Sequence, residues 1–419
     1  MEKDYKSGLD AGFDYRLCAA CKGRGYCKRK CIILEKFSNS MPHRKIHFSG
    51  SSPPEVFVGR HDYPNVFAGI LAPQERGSTE QYSMPEIWHK NSMGIQEILA
   101  YRGSLIYSRF RNNVNDARAE KRFLPVMQEI AMSNRAVSAE FFLKKPAHFE
   151  MHLDRHVPII GNPAPLRHVS LEENPHIEKK VDYLAGDDEI KASEAIKELY
   201  SSDIEISSII KILSAGLLGI RMQRRLVPTR WSVTATDDTL SKFLLEKVRD
   251  YKETGEIMLF HSEYLGNHYE FLLLPGKFSF EVIEAKMAGS VWNPGPFSPL
   301  YLAQDYEGFN GRKAYADSVT GAYYANRLAL CEYLESVQRQ ASCFVMRECR
   351  PEYWAPCGVG ILREASRQAF KNKPDIFSTL QDALSAAQGR MKLNISVFRE
   401  KSWLLKEHGK QKRLNEWMG

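Results

Sequence analysis

Residues 256–275 read EIMLFHSEYLGNHYEFLLLP, two runs of aromatic and aliphatic residues on either side of Gly266-Asn267. Such a pair turns a chain back on itself, so the stretch predicts a β-hairpin. FSFEVIEAKM, residues 278–287, continues the sheet. Just upstream, Leu240, Phe243, Leu244, Val248 and Tyr251 recur at helical spacing, with Gly255 as a stop and Thr236, Asp237 or Asp238 as the residue that caps the start. Downstream, SVWNPGPFSPLYLAQDYEGFNGRK (290–313) is rich in turn residues, and a long helix then runs through Tyr324, Leu328, Cys331, Leu334 and Val337. RECRPEYWAPCGVGILREASRQAF, from 347, gives a loop and another helix start. Helices and strands interleaved in this way predict a mixed α/β (α+β) fold, whose topology this pattern does not specify.

The rest of the chain extends that reading. With 419 residues, 43% of them hydrophobic and 11% aromatic, it can bury a large core and more than one domain. Strand-like runs lie at Glu55 to Gly59 and Val66 to Leu71, and residues 104–133 begin strand-like and turn helical. Residues 170–195 are acidic and turn-rich, a surface excursion or linker, after which Ser193 is a candidate helix cap. A net charge of +7 permits an anionic partner, and its sign favours nucleic acid over an acidic protein. No apolar run is long enough to span a bilayer, and the opening MEKDYKSGLD has no hydrophobic signal core, so a cytoplasmic protein without membrane contact is expected.

Four of the eight cysteines fall within CAACKGRGYCKRKC, as Cys18, Cys21, Cys27 and Cys31. This C-x2-C-x5-C-x3-C spacing, with Gly23 and Gly25 to tighten the loop, can converge four thiolates on one tetrahedral ion. Zinc at a single structural site is the expected cofactor on ligand softness. An iron–sulfur cluster uses the same ligands, and disulfides fit a hyperthermophile. Lys22, Arg24, Lys28, Arg29 and Lys30 surround the cysteines, which suits either a structural staple with a solvated rim or a finger that contacts phosphates. Cys331, Cys343, Cys349 and Cys357 are spaced too loosely for a second metal site and read as buried thiols.

Four further places bear on chemistry. The donors of Ser49 to Ser52 beside Arg60 could cradle a phosphate, or form an ordinary loop. Arg102, Arg109 and Arg111 read as a solvated basic face. In HFEMHLDRHVPIIGNPAPLRH, a strand would put His148, Glu150, His152, Asp154 and His156 on one side, a candidate metal or acid–base face, although a half-buried strand produces the same alternation. Arg221, Arg224, Arg225 and Arg230 gather beside Trp231, a pairing that suits nucleic-acid backbone and base stacking or a purely structural stack. The candidate catalytic residues on this reading are His152, Asp154 and Arg230.

The tail QKRLNEWMG places Gln411, Leu414, Trp417 and Met418 at the spacing Q-x-x-h-x-x-a-a, so that one helical turn gathers the three apolar side chains. Large apolar groups at a terminus are a liability unless something covers them. Taken with GSSPPEVFVGRHDYPNV, RRLVPTRWSVTATDD and RQASCFVMRECRPEYWAPCGVGILRE, these features make the chain resemble the archaeal Nre family of DNA repair proteins over nearly its whole length. The resemblance implies a zinc-finger module over 1–40, an N-terminal domain over 41–280, a C-terminal domain over 281–400, and a tether and clamp-binding peptide over 401–419. The cysteine quartet takes the finger role. Gln411, Leu414, Trp417 and Met418 take the role of a peptide that binds PCNA, the DNA polymerase sliding clamp, with Met418 standing where an aromatic residue is usual. The expected function is clamp-recruited DNA repair. The competing readings are an enzyme acting on nucleic acid or a nucleotide, with its site around His148–His156 and Arg230, and an adaptor with no DNA contact.

Overall fold

The computed structural model describes residues 40–119, 123–148, 150–152, 154–293 and 298–408. The cysteine quartet with its basic neighbours and the residues 411–418 lie outside these. Among the described residues the protein is mixed α/β, built on two six-stranded sheets. The first contains β1 (His47–Ser52), β2 (Glu55–Val58), β3 (Asn65–Ala72), β4 (Ile106–Asn113), β5 (Val137–Leu143) and, past a two-residue ladder of β6 (Met151–His152) with β7 (Ile160–Gly161), β8 (Pro163–Leu171). Its order is β1-β5-β8-β4-β3-β2. β4 and β8 are parallel over only Tyr107–Arg109 and then part.

The second sheet follows a short parallel pair, β9 (Lys252–Glu253) with the later β14 (Arg339–Gln340). It comprises β10 (Ile257–Tyr264), β11 (Asn267–Leu274), β12 (Ser279–Lys286), β13 (Tyr301–Glu307), β15 (Ser342–Cys349) and β16 (Asp375–Phe377), in the order β13-β12-β15-β11-β10-β16. The expected hairpin is present, one residue earlier than the Gly-Asn pair suggests. Tyr264 faces Asn267, and Leu265 and Gly266 make the turn at φ of 51° and 74°. Gly266 is required there, since a Cβ would lie 2.5 Å from the Tyr353 nitrogen.

The helices are α1 (Pro85–Lys90), α2 (Ile95–Ser104), α3 (Leu124–Met132), α4 (Lys179–Gly186), α5 (Ala192–Ser201), α6 (Ile206–Ser214), α7 (Thr229–Val248), α8 (Gly321–Ser336), α9 (Gly360–Lys371), α10 (Leu380–Arg390), α11 (Ser396–Lys401) and α12 (Trp403–Glu407). α7 links the sheets. At its start the Val58 N–H of β2 donates to Thr229 Oγ1 at 2.9 Å, and along its length it packs on α8, which packs on α9. One apolar core therefore runs from Phe48 through these helices to Ala369. A second core joins the far face of the second sheet to α10, α11 and α12 through Leu272, Phe344, Leu384 and Phe398. With apolar layers on both faces, β11 buries all eight of its residues. None of the described helices is long and apolar enough to cross a membrane.

Several local expectations are corrected. Helix α7 begins seven residues before Thr236, and Thr236 and Asp237 are buried inside it instead of capping it. Asp237 accepts from Arg363 Nε and Nη2, both at 2.9 Å, and that pairing holds a carboxylate in mid-helix. Ser49 to Ser52 lie in β1, paired with β5, so they form no phosphate loop. Ser193 sits within the first turn of α5, which starts after Lys191. Part of the 170–195 stretch folds as α4. Arg102 is buried, not solvated, and donates to the Ile159 and Tyr82 carbonyls at 2.9 and 3.2 Å. Cys331, Cys343, Cys349 and Cys357 are free and buried, as expected.

Candidate functional site

Asp154 and Arg230, 76 residues apart, meet beside a pocket of about 520 Å³ between the two halves of the fold, which Arg230 and His156 line. Arg230 stands in the first turn of α7, and its Nη1 donates to Asp154 Oδ2 at 3.0 Å. The expected strand from His148 to His156 does not form. Asp154 Oδ1 instead accepts the His156 N–H at 2.7 Å, and this side-chain turn bends the chain where the alternation needed it straight. Only Met151 and His152 pair as strand, while the half-exposed His148 and Glu150 hydrogen-bond to each other at 3.2 Å. Among the described residues, which leave out the His152 side chain, no group of three or more His, Cys, Asp or Glu side chains could hold a metal ion.

The bend is clamped from the other half of the fold. The His156 carbonyl accepts the Val359 N–H at 2.9 Å. Its ring lies so close to Gly321 that a Cβ there would approach Cδ2 to 2.8 Å. On the ring, Nδ1 is 3.4 Å from Asp154 Oδ1, and Nε2 is 3.4 Å from the Tyr315 hydroxyl. Burial would raise the Asp154 pKa, but the His156 side chain, the His156 N–H and the Arg230 charge together outweigh it. The group is therefore held well below the usual carboxylate range and stays anionic. Burial pushes the Tyr315 hydroxyl up, and Tyr324 up to about 12, so both rings face the pocket as neutral phenols.

Arg60, Trp231, Thr234, Asp238, Tyr315 and Tyr324 complete the wall. The Arg60 side chain makes no ion pair among the described residues and is exposed. Asp238 is held by Arg327 and Lys242. Trp231 is 44% exposed and Tyr63 48%, and their rings lie 5.5 Å apart. The site thus offers two guanidinium groups and several π faces, with Asp238 in the wall and Asp154 behind Arg230 as its carboxylates, and guanidinium groups beside π faces are the chemistry that suits a phosphate next to a planar base.

Of the residues singled out from the sequence, Asp154, Arg230 and Trp231 come together here. Arg224 does not. It is buried and donates to the Gly219 and Ala185 carbonyls at 2.7 and 2.6 Å, joining a loop and a helix end, so it is unavailable to nucleic acid. Arg225 is exposed but lies outside the pocket. Tyr315 and Tyr324 carry no sequence signal, because the loop and helix that supply them meet Arg230 only in three dimensions.

A two-sheet α/β protein with a basic, aromatic pocket at the junction of its halves is the class these features define. The chain belongs to the archaeal Nre family: residues 26–293 match the model described as "Archaeal Nre, N-terminal" and residues 307–417 the one described as "Archaeal Nre, C-terminal". It is 37% identical to "DNA repair protein NreA" of Haloferax volcanii over 84% of this chain and 85% of that protein. It is 35% identical to "DNA repair protein NreB" of Archaeoglobus fulgidus over 96% of this chain and 100% of that protein. A second relative from that organism, "DNA repair protein NreA", is 36% identical over 89% and 93%. No solved structure matches the chain.

Proposed function

We propose that this Nre protein is a DNA repair factor that holds DNA at the Arg60–Arg230–Trp231 pocket and is brought to its sites by the sliding clamp. Three relatives named as DNA repair proteins support the first part. The observation that carries it is Arg60, an exposed guanidinium with no ion pair among the described residues, which lines one pocket together with Arg230 and an exposed indole. In this reading Cys18, Cys21, Cys27 and Cys31 hold zinc, Lys22, Arg24, Lys28, Arg29 and Lys30 add phosphate contacts, and Gln411, Leu414, Trp417 and Met418 dock on the clamp. The tail raises the local concentration of the DNA-binding surface at replication forks and repair sites.

Two titrations test it. The full chain binds the clamp, and the form ending at Lys410 does not. Full-length protein binds DNA with an affinity that falls as salt rises, and Arg60→Ala with Arg230→Ala weakens it severalfold and flattens the salt slope. Undiminished clamp binding without the tail removes the recruitment step, and salt-independent or absent DNA binding favours the adaptor. The hydrogen bonds and close approaches joining Asp154, His156 and Tyr315 favour a second reading, an enzyme whose anionic carboxylate and phenol flank a phosphate. It requires turnover of nucleic acid or nucleotide that Asp154→Asn abolishes while binding persists.

A further inference from the structure

The loop between β2 and β3 does more than close the pocket. Arg60 lines it and Tyr63 rests on Trp231. Between them Asp62 holds Arg111 Nη2 at 2.7 Å. Beyond the loop, where β4 parts from β8, a second cleft of about 600 Å³ opens, lined by Phe67, Arg109, Phe110, Arg111, Phe123 and Lys144 among others. Phe67 stands opposite Arg111 in the β3–β4 ladder, and the guanidinium groups of Arg109 and Arg111 lie 4.4 and 4.6 Å from the centre of its ring. Arg109 forms no ion pair among the described residues, and Lys144 is exposed. The loop therefore touches both places, the pocket through Arg60 and the cleft through the Asp62–Arg111 ion pair, and together they hold aromatic faces (Trp231, Tyr63, Phe67) and cations (Arg230, Arg60, Arg109, Lys144).

We propose that the pocket and the cleft form one track along which a single strand of DNA runs, its bases stacking on Trp231, Tyr63 and the Phe67–arginine platform while its phosphates meet the cations of both. This rests on the DNA-binding reading above and adds which form of DNA is bound. The physical reason is access. In a duplex each base is already stacked and only its edges face out, whereas a single strand can lay every base on a π surface. The cations need no fixed base order, so the binding tolerates any sequence.

The test is fluorescence anisotropy of the full-length protein with a labelled oligodeoxythymidine and with a blunt duplex of equal length, at two salt concentrations. The single strand is expected to bind at least tenfold more tightly. Phe67→Leu with Arg109→Gln keeps an apolar side chain in the sheet and removes the platform, and is expected to lower single-strand affinity about tenfold with little change for the duplex. An unchanged circular-dichroism melting midpoint shows that this variant is folded, and Tyr63→Ala, on an exposed ring, gives a second reading of the same track. Equal or tighter binding of the duplex overturns the proposal, as does wild-type strand affinity in both variants. Failure of the wild-type protein to bind either DNA sinks the underlying DNA-binding reading instead, so the two failures are distinct.

Discussion

Arginine is the residue whose role changes most between the sequence and the fold. Arg102 and Arg224 look like surface charge in the chain, yet both are buried and bonded to carbonyls, because a guanidinium's several fixed donors can tie together loop ends that have no other partner. Arg363 is more demanding. It is buried against Asp237 in the middle of α7, with two 2.9 Å hydrogen bonds between them. Burial disfavours its charge, but the Asp237 charge and hydrogen bonds outweigh that and hold its pKa above the ordinary value. Removing one partner leaves the other charge stranded, so Asp237→Asn is expected to destabilise the protein by about 3–5 kcal/mol. The double replacement Asp237→Leu with Arg363→Met is expected to cost less than Asp237→Asn alone. Urea denaturation of the three forms checks both statements, and a double variant no better than the single one would show that the pair's value lies in its packing.

Strand β11 shows how an element can be legible while its electrostatics are not. Its apolar run predicts a buried strand, but His268 and Glu270 within it are buried too, and the reason lies on other elements. His268 Nε2 is 2.9 Å from Glu270 Oε1, Arg390 of α10 grips both Glu270 oxygens at 2.9 Å, and Glu263 of β10 lies 3.5 Å from His268 Nδ1. Burial lowers the His268 pKa, but the two carboxylates beside it, Glu263 and Glu270, outweigh that and raise it above 6.5. The His268 ring in turn, with the Arg350 guanidinium 2.7 Å away, holds Glu263 down to about 2. A raised histidine stabilises the fold fully below about pH 6.5 and loses that contribution as pH climbs through its folded value, whereas Glu263 contributes above about pH 4.3 and loses it towards 2. Thermal melts from pH 6 to pH 9 should therefore show a decline in wild type that is smaller in His268→Gln. Parallel pH profiles for the two proteins would place the alkaline sensitivity elsewhere.

The same sheet fixes the start of the C-terminal segment. Glu281 of β12 is fully buried, and its carboxyl accepts from Ser402 Oγ and from the Trp403 and Leu404 N–H groups at 2.8 and 3.0 Å. It thereby caps α12, while Trp403 stacks on Tyr306 with centroids 4.6 Å apart. Lys406, which reads as tether in the sequence, is thus part of an anchored helix. Glu281→Ala is expected to weaken this attachment by about 1–3 kcal/mol. Hydrogen exchange should then rise across 402–408 and stay unchanged at β10 and β11. Exchange that rises throughout the second sheet would mean that Glu281 holds the sheet rather than the segment.

At the scale of the whole molecule, the zinc proposal for the cysteine quartet predicts one zinc per chain by elemental analysis, lost with Cys18→Ser and Cys21→Ser and retained when Asp154 is replaced. A second metal that leaves with Asp154 would point to the enzyme instead. The sequence by itself determined what depends on near neighbours: the hairpin around Gly266, the long helix after Thr320, the buried thiols, the four-cysteine spacing and the family. Periodicity, turn chemistry and short-range ligand spacing are written along the chain, so they can be read there. Tertiary structure alone decided which arginines are interior, why Asp237 sits within a helix, and that Asp154 faces Arg230 and not a row of histidines. Among the misread elements, the strand from His148 to His156 fails because the Asp154 side chain bonds the His156 N–H and turns the chain. That choice is stabilised by Arg230 and Val359, 76 and 203 residues further along the chain. A polar side chain's role is set by the partner that compensates its lost water, and for most of these residues that partner lies far away in sequence.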